Sequence, residues 1–417
     1  MKNKFIPNVE LIESQIEYLS NLIDKNKPPY TRRPFTKEYS RSRKWLKEKM
    51  IENGLEVHVD AASNLIGVRK GINPNLPPIM IGSHTDSVVG GGRFDGIIGV
   101  LAGLEIARQL SENNIKLEHT LFIVDFTAEE ASEFGISTIG SRGMIGNLTD
   151  QILERKNIEG HTLREGLMSL GGNPDLIMNA RKKPGDIHLY LELHIEQGPV
   201  LEQTGYDLGV VTGIVGIRRL KVFVKGQANH AGTTPMNMRT DALTAASEVI
   251  LAIEKLANKH YEKQMVGTVG RLFVKPNGSN IVPGEVVFDF ELRSLSEVAL
   301  DEAVSIVKNK INNIASRRNI SIKTEQLSVT ESIKIKDEII DGINESCNQI
   351  GSSLKLPSGA GHDANQMAKI APVGMIFVPS KKGISHSSDE WTDYELVVKG
   401  IHAMWNALFY FDRNLDN

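Results

Sequence analysis

The sequence contains one cysteine, has no long hydrophobic run and carries almost no net charge. The lone Cys347 cannot form an intrachain disulfide or a thiolate cluster, so His, Asp and Glu would have to bind any metal ion. No apolar run reaches the roughly 18 residues that span a membrane, and the N-terminus lacks the apolar segment of a secretory signal. These absences predict a cytoplasmic protein in which Cys347 is a core thiol and not a nucleophile.

Charge and composition exclude further classes of protein. The formal net charge is −3, and 40% of the 417 residues are hydrophobic while 24% are charged, as in ordinary globular proteins. Neither disorder nor a nucleic-acid or membrane partner is indicated. At about 150 residues per domain, the length suggests two or three domains.

Buried strands and amphipathic helices alternate over much of the chain. The apolar run at 78–82 predicts a strand that is covered on both faces. The other predicted elements are strands at 55–59, 64–69, 120–126, 188–195 and 373–378 and helices at 8–24, 37–53, 96–110, 337–349 and 392–410, with a polar helical stretch over 139–182. This alternation favours an α/β fold with a mostly parallel sheet flanked by helices.

The order of elements changes between about 216 and 328. Here the pattern predicts the order strand, helix, strand, strand, helix, strand, which is that of a ferredoxin-like βαββαβ unit. Its elements are strands at 217–225, 266–275, 285–293 and 320–328 and helices at 239–259 and 296–316. We therefore predict an α/β domain formed by 1–213 and 329–417, into which a domain of residues 214–328 is inserted.

Histidine and acidic residues follow several predicted strands of the α/β domain. Because ligands bind outside the carboxyl ends of such strands, these side chains are candidates for one site. Each of them alone would be an ordinary loop residue, but together they offer imidazole and carboxylate ligands for one or two zinc-like ions. The residues are His84, Asp95, Glu129, Glu130, His194, Glu196 and His386.

Spacing within this set suggests distinct roles. Asp95 could bridge two ions about 3.5–4 Å apart. Of the adjacent Glu129 and Glu130, one could bind metal while the other takes a proton from water. Asp86, two residues after His84, could orient that imidazole. Other catalytic motifs are missing, since Asp95 replaces the third glycine of a dinucleotide-binding fingerprint and neither G-x-S-x-G nor H-E-x-x-H occurs.

The inserted domain contains three further candidates. His230 lies in a loop after a predicted strand, Asn280 lies in an Asn-Gly-Ser-Asn segment, and Arg293 ends another strand. Arginine binds carboxylates through paired hydrogen bonds, so Arg293 is a candidate for binding a substrate carboxylate. The alternatives are a surface salt bridge for Arg293 and a β-turn for the segment around Asn280.

Eight motifs resemble those of the hydantoinase/carbamoylase amidases, which are dinuclear metal amidohydrolases related to the zinc aminoacylases and carboxypeptidases. The resemblance extends from about residue 30 to the C-terminus, and HIEQGP separates this branch from the peptidases. It implies a zinc-aminopeptidase-like fold and two divalent metal ions per subunit, Zn²⁺ first, with Mn²⁺, Co²⁺ or Ni²⁺ as alternatives. The motifs are HTDS, GGGRFDG, AEEASEFG, ELHIEQGPVLE, QANHAGTTPM, NGSNIVPG, SGAGHDA and GISHSSDEW.

The resemblance assigns roles around the metals. Glu129 would be the general base, and His362 in SGAGHDA is interpreted as part of the loop architecture and not as a ligand. The ligands would be His84, Asp95 and His194 for one ion and Asp95, Glu130 and His386 for the other. Asp95 would therefore bridge the two ions.

Further positions would contact the substrate, which the resemblance identifies as a small ureido molecule with a carboxylate. Gln197 would contact the ureido group, and His230 would stabilise the oxyanion. Asn280 and Arg293 would bind the carboxylate. Arg218 falls where allantoate-type enzymes place another substrate contact.

The implied activity is hydrolysis of the ureido C–N bond of N-carbamoyl-L-amino acids to an amino acid, CO₂ and ammonia. The main alternative is an allantoate amidohydrolase, which forms ureidoglycine. Less favoured are a β-ureidopropionase, an aminoacylase or dipeptidase, and a metal-dependent binding protein without activity. The family also implies a homodimer formed through the inserted domain, which would serve as a lid as well.

Overall fold

The computed structural model describes residues 5–6, 8–260 and 265–414. Residues 1–4 and 7 lie outside the described residues. They belong to the N-terminal segment from which the absence of a secretory signal is predicted. The α-helices are α1 (Val9–Ser20), α2 (Lys37–Glu52), α3 (Ile97–Glu112), α4 (Ile139–Met144), α5 (Asp150–Leu153), α6 (Leu163–Ser169), α7 (Ile177–Ala180), α8 (Val200–Thr204), α9 (Ala242–Lys259), α10 (Glu297–Arg318), α11 (Asp337–Asn348), α12 (Ala364–Met367) and α13 (Tyr394–Asn414).

Fifteen β-strands are described, several of them only two residues long. They are β1 (Glu56–Val59), β2 (Leu65–Arg69), β3 (Ile79–His84), β4 (Leu121–Phe126), β5 (Leu189–Ile195), β6 (Leu208–Ile214), β7 (Gly216–Lys225), β8 (Asn229–His230), β9 (Val266–Lys275), β10 (Ile281–Val282), β11 (Glu285–Ser294), β12 (Ser321–Thr330), β13 (Ile333–Lys334), β14 (Ser353–Ser358) and β15 (Val373–Val378).

Polar residues mark the helix termini. The side chains of Asn8, Thr36, Asp241 and Ser296 accept backbone N–H groups in the first turns of α1, α2, α9 and α10, which satisfies donors that a helix leaves unpaired at its N-terminus. Gly54, with φ of +80°, follows the end of α2. None of the helices in the described residues is both long and apolar enough to cross a membrane.

The chain folds into two compact units. The first comprises Met1–Thr212, Ile335–Leu356 and Gly361–Asn417, and the second comprises Gly213–Lys334 and Pro357–Ala360. The second unit thus extends beyond the predicted end at 328, because β12 continues to Thr330 and β13 pairs with the end of β6. A hydrogen bond from Val215 N–H to the Ser358 carbonyl contributes to joining the short second segment to this unit.

The first unit is built on a mostly parallel sheet, which confirms the predicted fold class. Its strand order is β1-β2-β4-β3-β5-β15-β6, with β14 paired to β6. The four central strands β4, β3, β5 and β15 run parallel, whereas β1, β2 and β6 pair antiparallel with their neighbours. Every residue of β3, β5 and β15 is buried, as expected for parallel strands that are covered on both faces.

The sequence patterns do not predict strands β6 and β14, which lie at the antiparallel side of this sheet. β6 includes Gly209 and Gly213, and β14 includes Pro357. Glycine and proline both weaken the sequence pattern of a strand. Pairing with a neighbouring strand, which is a tertiary interaction, stabilises these segments in an extended conformation.

The second unit has the predicted βαββαβ order around a four-stranded antiparallel sheet. Its strand order is β12-β7-β11-β9. Burial alternates along β7 and β11, and their buried side chains pack with α9 and α10 in one hydrophobic core. The two-residue strands β8 and β10 pair with each other, which places His230 opposite Ile281.

The single cysteine lies in α11 and is fully buried. Burial raises the pKa of the Cys347 thiol to about 12, so little reactive thiolate forms at neutral pH. We expect Ellman's reagent to react with Cys347 only after the protein is unfolded in urea. Equally fast labelling of the native and unfolded protein, measured by absorbance, would contradict this burial.

Candidate functional site

The candidate residues of the first unit meet at the carboxyl ends of its parallel strands. His84 is the last residue of β3, Glu129 and Glu130 follow β4, His194 lies near the end of β5, and His386 follows β15. Parallel strands bring such positions to one edge of a sheet. The fold therefore brings together residues that are far apart in the sequence.

The potential ligands form two adjoining clusters. We call His84, Asp95 and His194 the first cluster and Asp95, Glu130 and His386 the second cluster, and in each the ligand atoms lie within 4.8 Å of one another. Oδ1 of Asp95 lies 3.1 Å from Nε2 of His194, while Oδ2 lies 3.2 Å from Nε2 of His386. Each carboxylate oxygen of Asp95 thus faces a different cluster, which is the arrangement of a bridging ligand.

A glycine allows Asp95 to approach His84. Gly96 has φ of +70° and precedes α3, and a Cβ at this position would lie 2.3 Å from Nε2 of His84. Both the backbone conformation and the lack of space therefore require glycine here.

The orientation of the imidazoles suits metal binding. Nδ1 of His84 lies 3.1 Å from the Asp86 carbonyl oxygen, and Nδ1 of His194 lies 2.9 Å from the Ile195 carbonyl oxygen. Since a carbonyl only accepts, both Nδ1 atoms carry hydrogen, and both Nε2 atoms offer a lone pair toward Asp95 when the rings are neutral. This is how main-chain groups orient histidine ligands in metal sites.

The electrostatics of the clusters favour a cation. Burial opposes charge on His194, yet hydrogen bonding to Asp95 and its negative charge raise the pKa of this imidazole to about 9. Hydrogen bonds to Asp95 and Glu130 raise the pKa of His386 to about 11. A negative field that stabilises a proton on these rings would also stabilise a divalent ion, so the residues present fit a metal centre.

The side chain of Asp86, which the sequence predicts to orient His84, is hydrogen-bonded to a different part of the site. Its carboxylate oxygens accept the backbone N–H groups of Glu129 at 3.0 Å and Glu130 at 3.1 Å. The Asp86 carbonyl, and not the carboxylate, is hydrogen-bonded to the imidazole, since Oδ1 lies 3.6 Å from Nδ1 of His84. Asp86 therefore orients the histidine through its main chain and fixes the Glu129–Glu130 loop through its side chain.

Glu129 is suited to accept a proton. Oε2 of Glu129 lies 3.8 Å from Nε2 of His84, and Glu129 belongs to neither cluster. Burial and the negative charges of Asp363, Glu130 and other nearby carboxylates raise the pKa of Glu129 well above its usual range. A carboxylate of raised pKa is a stronger proton acceptor, as a general base requires.

Gln197 reaches the second cluster from the end of β5. Its Nε2 donates to Oδ2 of Asp95 at 2.9 Å and lies 3.4 Å from Nε2 of His386. The Gln197 backbone has φ of +58°, and its N–H donates to Oγ of Ser380. The neighbouring Glu196 does not join the clusters among the described residues; its carboxylate accepts two N–H groups at the start of α8.

His362, predicted as loop architecture, packs against the first cluster. Its ring lies 4.6 Å from that of His194, nearly perpendicular to it, and burial lowers the pKa of His362 well below its usual range. The ring also groups with Glu192 and His194 as a third possible set of metal ligands. Nε2 of His194 is, however, 3.1 Å from Asp95, so this set would compete with the first cluster for His194.

Sequence reasoning missed buried acids near the clusters, among them Glu192 and Glu390. Glu192 on β5 accepts hydrogen bonds from Ser83 and Tyr190, and Glu390 accepts the N–H groups of Phe94 and Asp95. A charged residue within the otherwise apolar run Leu-Tyr-Leu-Glu-Leu was the available signal for Glu192. Glu390 stands in GISHSSDEW, and only the three-dimensional structure shows its contact with the distant loop of Asp95.

The second unit holds the other predicted substrate contacts. His230 is exposed, and its Nδ1 accepts the N–H groups of Gly232 and Thr233. The carbonyl of Asn280 accepts the N–H of Ala231, which ties the Asn280 segment to the His230 loop.

The two arginines of this unit that are predicted to contact the substrate differ. Nε and Nη2 of Arg293 lie 2.8 and 2.7 Å from Oε1 of Glu291, which orients the guanidinium. Arg218 is buried and binds Asp301 at 2.9 Å and Glu297 at 2.5 Å. These two carboxylates neutralise Arg218, so its contacts favour a structural role over the predicted substrate contact.

Known proteins with similar sequences are hydrolases of C–N bonds. The chain matches the family model described as peptidase family M20/M25/M40 over residues 80–409. It is 40% identical to an N-carbamoyl-L-amino acid amidohydrolase of Geobacillus stearothermophilus over 91% of this chain and 92% of that protein. It is 32% identical to an allantoate amidohydrolase of Bacillus subtilis (strain 168) over 95% and 96% of the two chains.

A solved structure is also similar over nearly its whole length. The crystal structure of a hydantoinase/carbamoylase family amidase from Burkholderia multivorans has a TM-score of 0.90 and 30% identity, covering 97% of this chain and 98% of that one. The α/β sheet and the two clusters of histidines and carboxylates fit a metal-dependent hydrolase, and the family model and the relatives show that the protein is an amidohydrolase that acts on C–N bonds. The chain belongs to the peptidase family M20/M25/M40 and, within it, to the hydantoinase/carbamoylase amidases. Hydrolases of this family are generally dinuclear metal enzymes.

Proposed function

We propose that the protein hydrolyses the ureido C–N bond of N-carbamoyl-L-amino acids to an amino acid, CO₂ and ammonia. The observation that carries this proposal is the pair of ligand clusters sharing Asp95, with Glu129 beside them. The substrate class follows the name of the Geobacillus relative, which is similar over nearly the whole chain. The substrate is thus a small molecule.

The chemistry divides between the metal centre and the side chains around it. Two divalent ions bound by the clusters would lower the pKa of a water molecule and polarise the ureido carbonyl. Glu129 takes a proton from the attacking water and returns it to the leaving nitrogen. Zn²⁺ is our first choice of metal, although His and carboxylate ligands also suit Mn²⁺, Co²⁺ and Ni²⁺.

His230 is proposed to stabilise the oxyanion. Because its Nδ1 accepts two backbone N–H groups, the neutral ring carries its hydrogen on Nε2. A hydrogen-bond donor at this atom is what a developing oxyanion requires. We assign the exposed His230 to this role, through Nε2.

The remaining contacts give the substrate its orientation. Gln197 is proposed to bind the ureido group, for which its amide lies beside Asp95 and His386. Asn280 and Arg293 are proposed to bind the carboxylate, with Glu291 orienting the guanidinium. A homodimer formed through the second unit, and a role of that unit as a lid, are part of the same proposal.

Allantoate hydrolysis is the second candidate, favoured by the similarity to the Bacillus subtilis enzyme. The resemblance implies that allantoate hydrolysis would use Arg218 as a further substrate contact. The guanidinium of Arg218 is already paired with Asp301 and Glu297. This pairing favours N-carbamoyl amino acids over allantoate.

A substrate panel on metal-reconstituted protein separates these activities. We expect kcat/KM for N-carbamoyl-L-methionine to exceed that for allantoate and β-ureidopropionate by about tenfold or more, a ratio that differential contacts in a binding pocket readily provide. Ammonia release measures hydrolysis of the ureido substrates and free methionine measures hydrolysis of N-acetyl-L-methionine, while the protein carrying Glu129→Gln controls for contaminating hydrolases. A higher kcat/KM for allantoate would replace the proposed function by the second candidate, and efficient hydrolysis of N-acetyl-L-methionine would indicate an aminoacylase.

A further inference from the structure

Glu390 connects two loops that carry metal-ligand candidates. It is buried, and its Oε1 accepts the N–H groups of Phe94 at 2.9 Å and Asp95 at 3.1 Å. Its Oε2 lies 3.0 Å from Oγ of Ser385. One carboxylate therefore binds the loop of Asp95 on one side and the residue before His386 on the other.

Ser385 completes this connection. Its Oγ lies 3.1 Å from Oδ2 of Asp95, the carboxylate oxygen that faces the second cluster. The Ser385 hydroxyl has one hydrogen, so it donates to either Glu390 or Asp95 at a time, while Glu390 binds the loop of Asp95 through its backbone N–H groups. These contacts connect the loop that carries Asp95 with the loop that carries His386.

We infer that Glu390 is a positioning residue that sets Asp95 against His386 and thereby maintains the second cluster as a metal site. This role rests on the metal centre of the proposed function. It is not a catalytic role, because Glu390 acts through Asp95 and Ser385 and does not belong to either cluster. Groups that are hydrogen-bonded to metal ligands typically change metal affinity or activity by roughly 10–100-fold when they are removed.

The placement of ligands in the second cluster depends on the Glu390 contacts more than it does in the first cluster. His84 and His194 are buried strand residues whose Nδ1 atoms are oriented by main-chain carbonyls. His386 lies in a loop, has φ of +54° and leaves 49% of its side chain exposed. Loss of the Glu390 contacts should therefore weaken metal binding at the second cluster more than at the first, which shares Asp95 but keeps two buried strand histidines.

Gly92 offers a second way to disturb Glu390. A Cβ at this position would lie 1.9 Å from Cδ and Oε1 of Glu390, far inside van der Waals contact. Gly92→Ala should displace the carboxylate without changing Glu390 itself. Gly92→Ala and Glu390→Ala therefore test the same contact, the first by displacing the carboxylate and the second by removing it.

Asp412 provides a matched control. This buried carboxylate also accepts two consecutive backbone N–H groups, those of Glu118 at 3.0 Å and His119 at 2.9 Å. Residues 118 and 119 precede β4, whereas Glu129 and Glu130 follow it. Asp412→Ala removes the same kind of hydrogen bonds from the opposite end of the strand.

The experiment is isothermal titration calorimetry of chelator-treated, full-length protein with Zn²⁺, together with kcat/KM at increasing Zn²⁺. We expect wild-type protein to bind two ions, and Glu390→Ala to weaken one of the two steps by about tenfold or more. Gly92→Ala should reproduce this loss, and added Zn²⁺ should restore part of the activity. Glu390→Gln, which can accept the same N–H groups and donate to Ser385, should bind both ions nearly as wild type does, and so should Asp412→Ala.

The outcomes separate this inference from the function on which it rests. Unchanged affinities in Glu390→Ala and Gly92→Ala, with two ions bound by the wild type, would overturn the role of Glu390 alone. A loss in Glu390→Gln as large as in Glu390→Ala would show that charge matters and not hydrogen-bonded positioning, which also overturns it. Failure of the wild-type protein to bind Zn²⁺ and, in the same titration, Mn²⁺, Co²⁺ or Ni²⁺ would overturn the proposed metal centre and this role with it.

Discussion

Replacing Glu129 by Gln is expected to lower kcat by about two to four orders of magnitude, the range that general acid–base catalysis contributes. Gln has the same shape but cannot take a proton from water. Glu129 is buried and belongs to neither ligand cluster, so the substitution should leave the metal content unchanged. Steady-state kinetics and elemental analysis of the same preparation measure the two quantities.

The control for this variant is Glu133→Gln. Glu133 lies in the same loop, four residues after Glu129, but is exposed, so the same change in charge occurs away from the clusters. We expect its kcat to stay close to that of the wild type. Full activity of Glu129→Gln would contradict its assignment as the base, and a loss of metal in that variant would assign it to the ligands instead.

Asp95→Asn is expected to weaken metal binding at both clusters. Oδ1 of Asp95 faces the first cluster and Oδ2 the second, and the variant exchanges one carboxylate oxygen for an amide nitrogen and removes the negative charge. Removing a group that only orients a metal ligand typically lowers the metal affinity by roughly 10–100-fold. Loss of the shared ligand should therefore lower the affinity for both ions by more than about 100-fold. Activity should fall in parallel.

Glu130→Gln is the comparison that tests the bridging geometry. Glu130 contacts His386 at 3.2 Å and belongs only to the second cluster, so this variant should lose one ion and keep the other. Elemental analysis after dialysis against buffer with defined Zn²⁺ gives the number of ions per chain. Retention of one tightly bound ion by Asp95→Asn would contradict the bridge.

The sequence predicts most of the central elements well, because their patterns are local. The apolar run at 78–82 becomes β3 and the run at 120–126 becomes β4, each with nearly the predicted bounds. The candidate ligands follow from the same reasoning, since they stand where these strands end. The strands β6 and β14 escape prediction because glycine and proline weaken their patterns and pairing partners stabilise them.

The sequence predicts the bounds of helices and strands better than it predicts the hydrogen-bond partners of individual side chains. The sequence predicts that Arg218 contacts a substrate, and it does not predict the pairing of Arg218 with Asp301 and Glu297, residues that are adjacent to it only after α10 packs on the sheet. The carboxylate of Asp86 accepts N–H groups of the Glu129 loop, which no spacing along the chain reveals. Such contacts depend on the distance between elements and not on the pattern within either.

The sequence alone determined the kinds of ligand that this protein can offer. One cysteine excluded thiolate clusters, and the histidines and acids at successive strand ends specified an imidazole–carboxylate site. Only the tertiary structure decided how these groups are divided, with the two oxygens of Asp95 facing different clusters and Glu390 binding the loop of Asp95. The physical reason is that residue types and spacing are local, whereas a metal site and its supporting hydrogen bonds require angstrom-scale distances between distant segments.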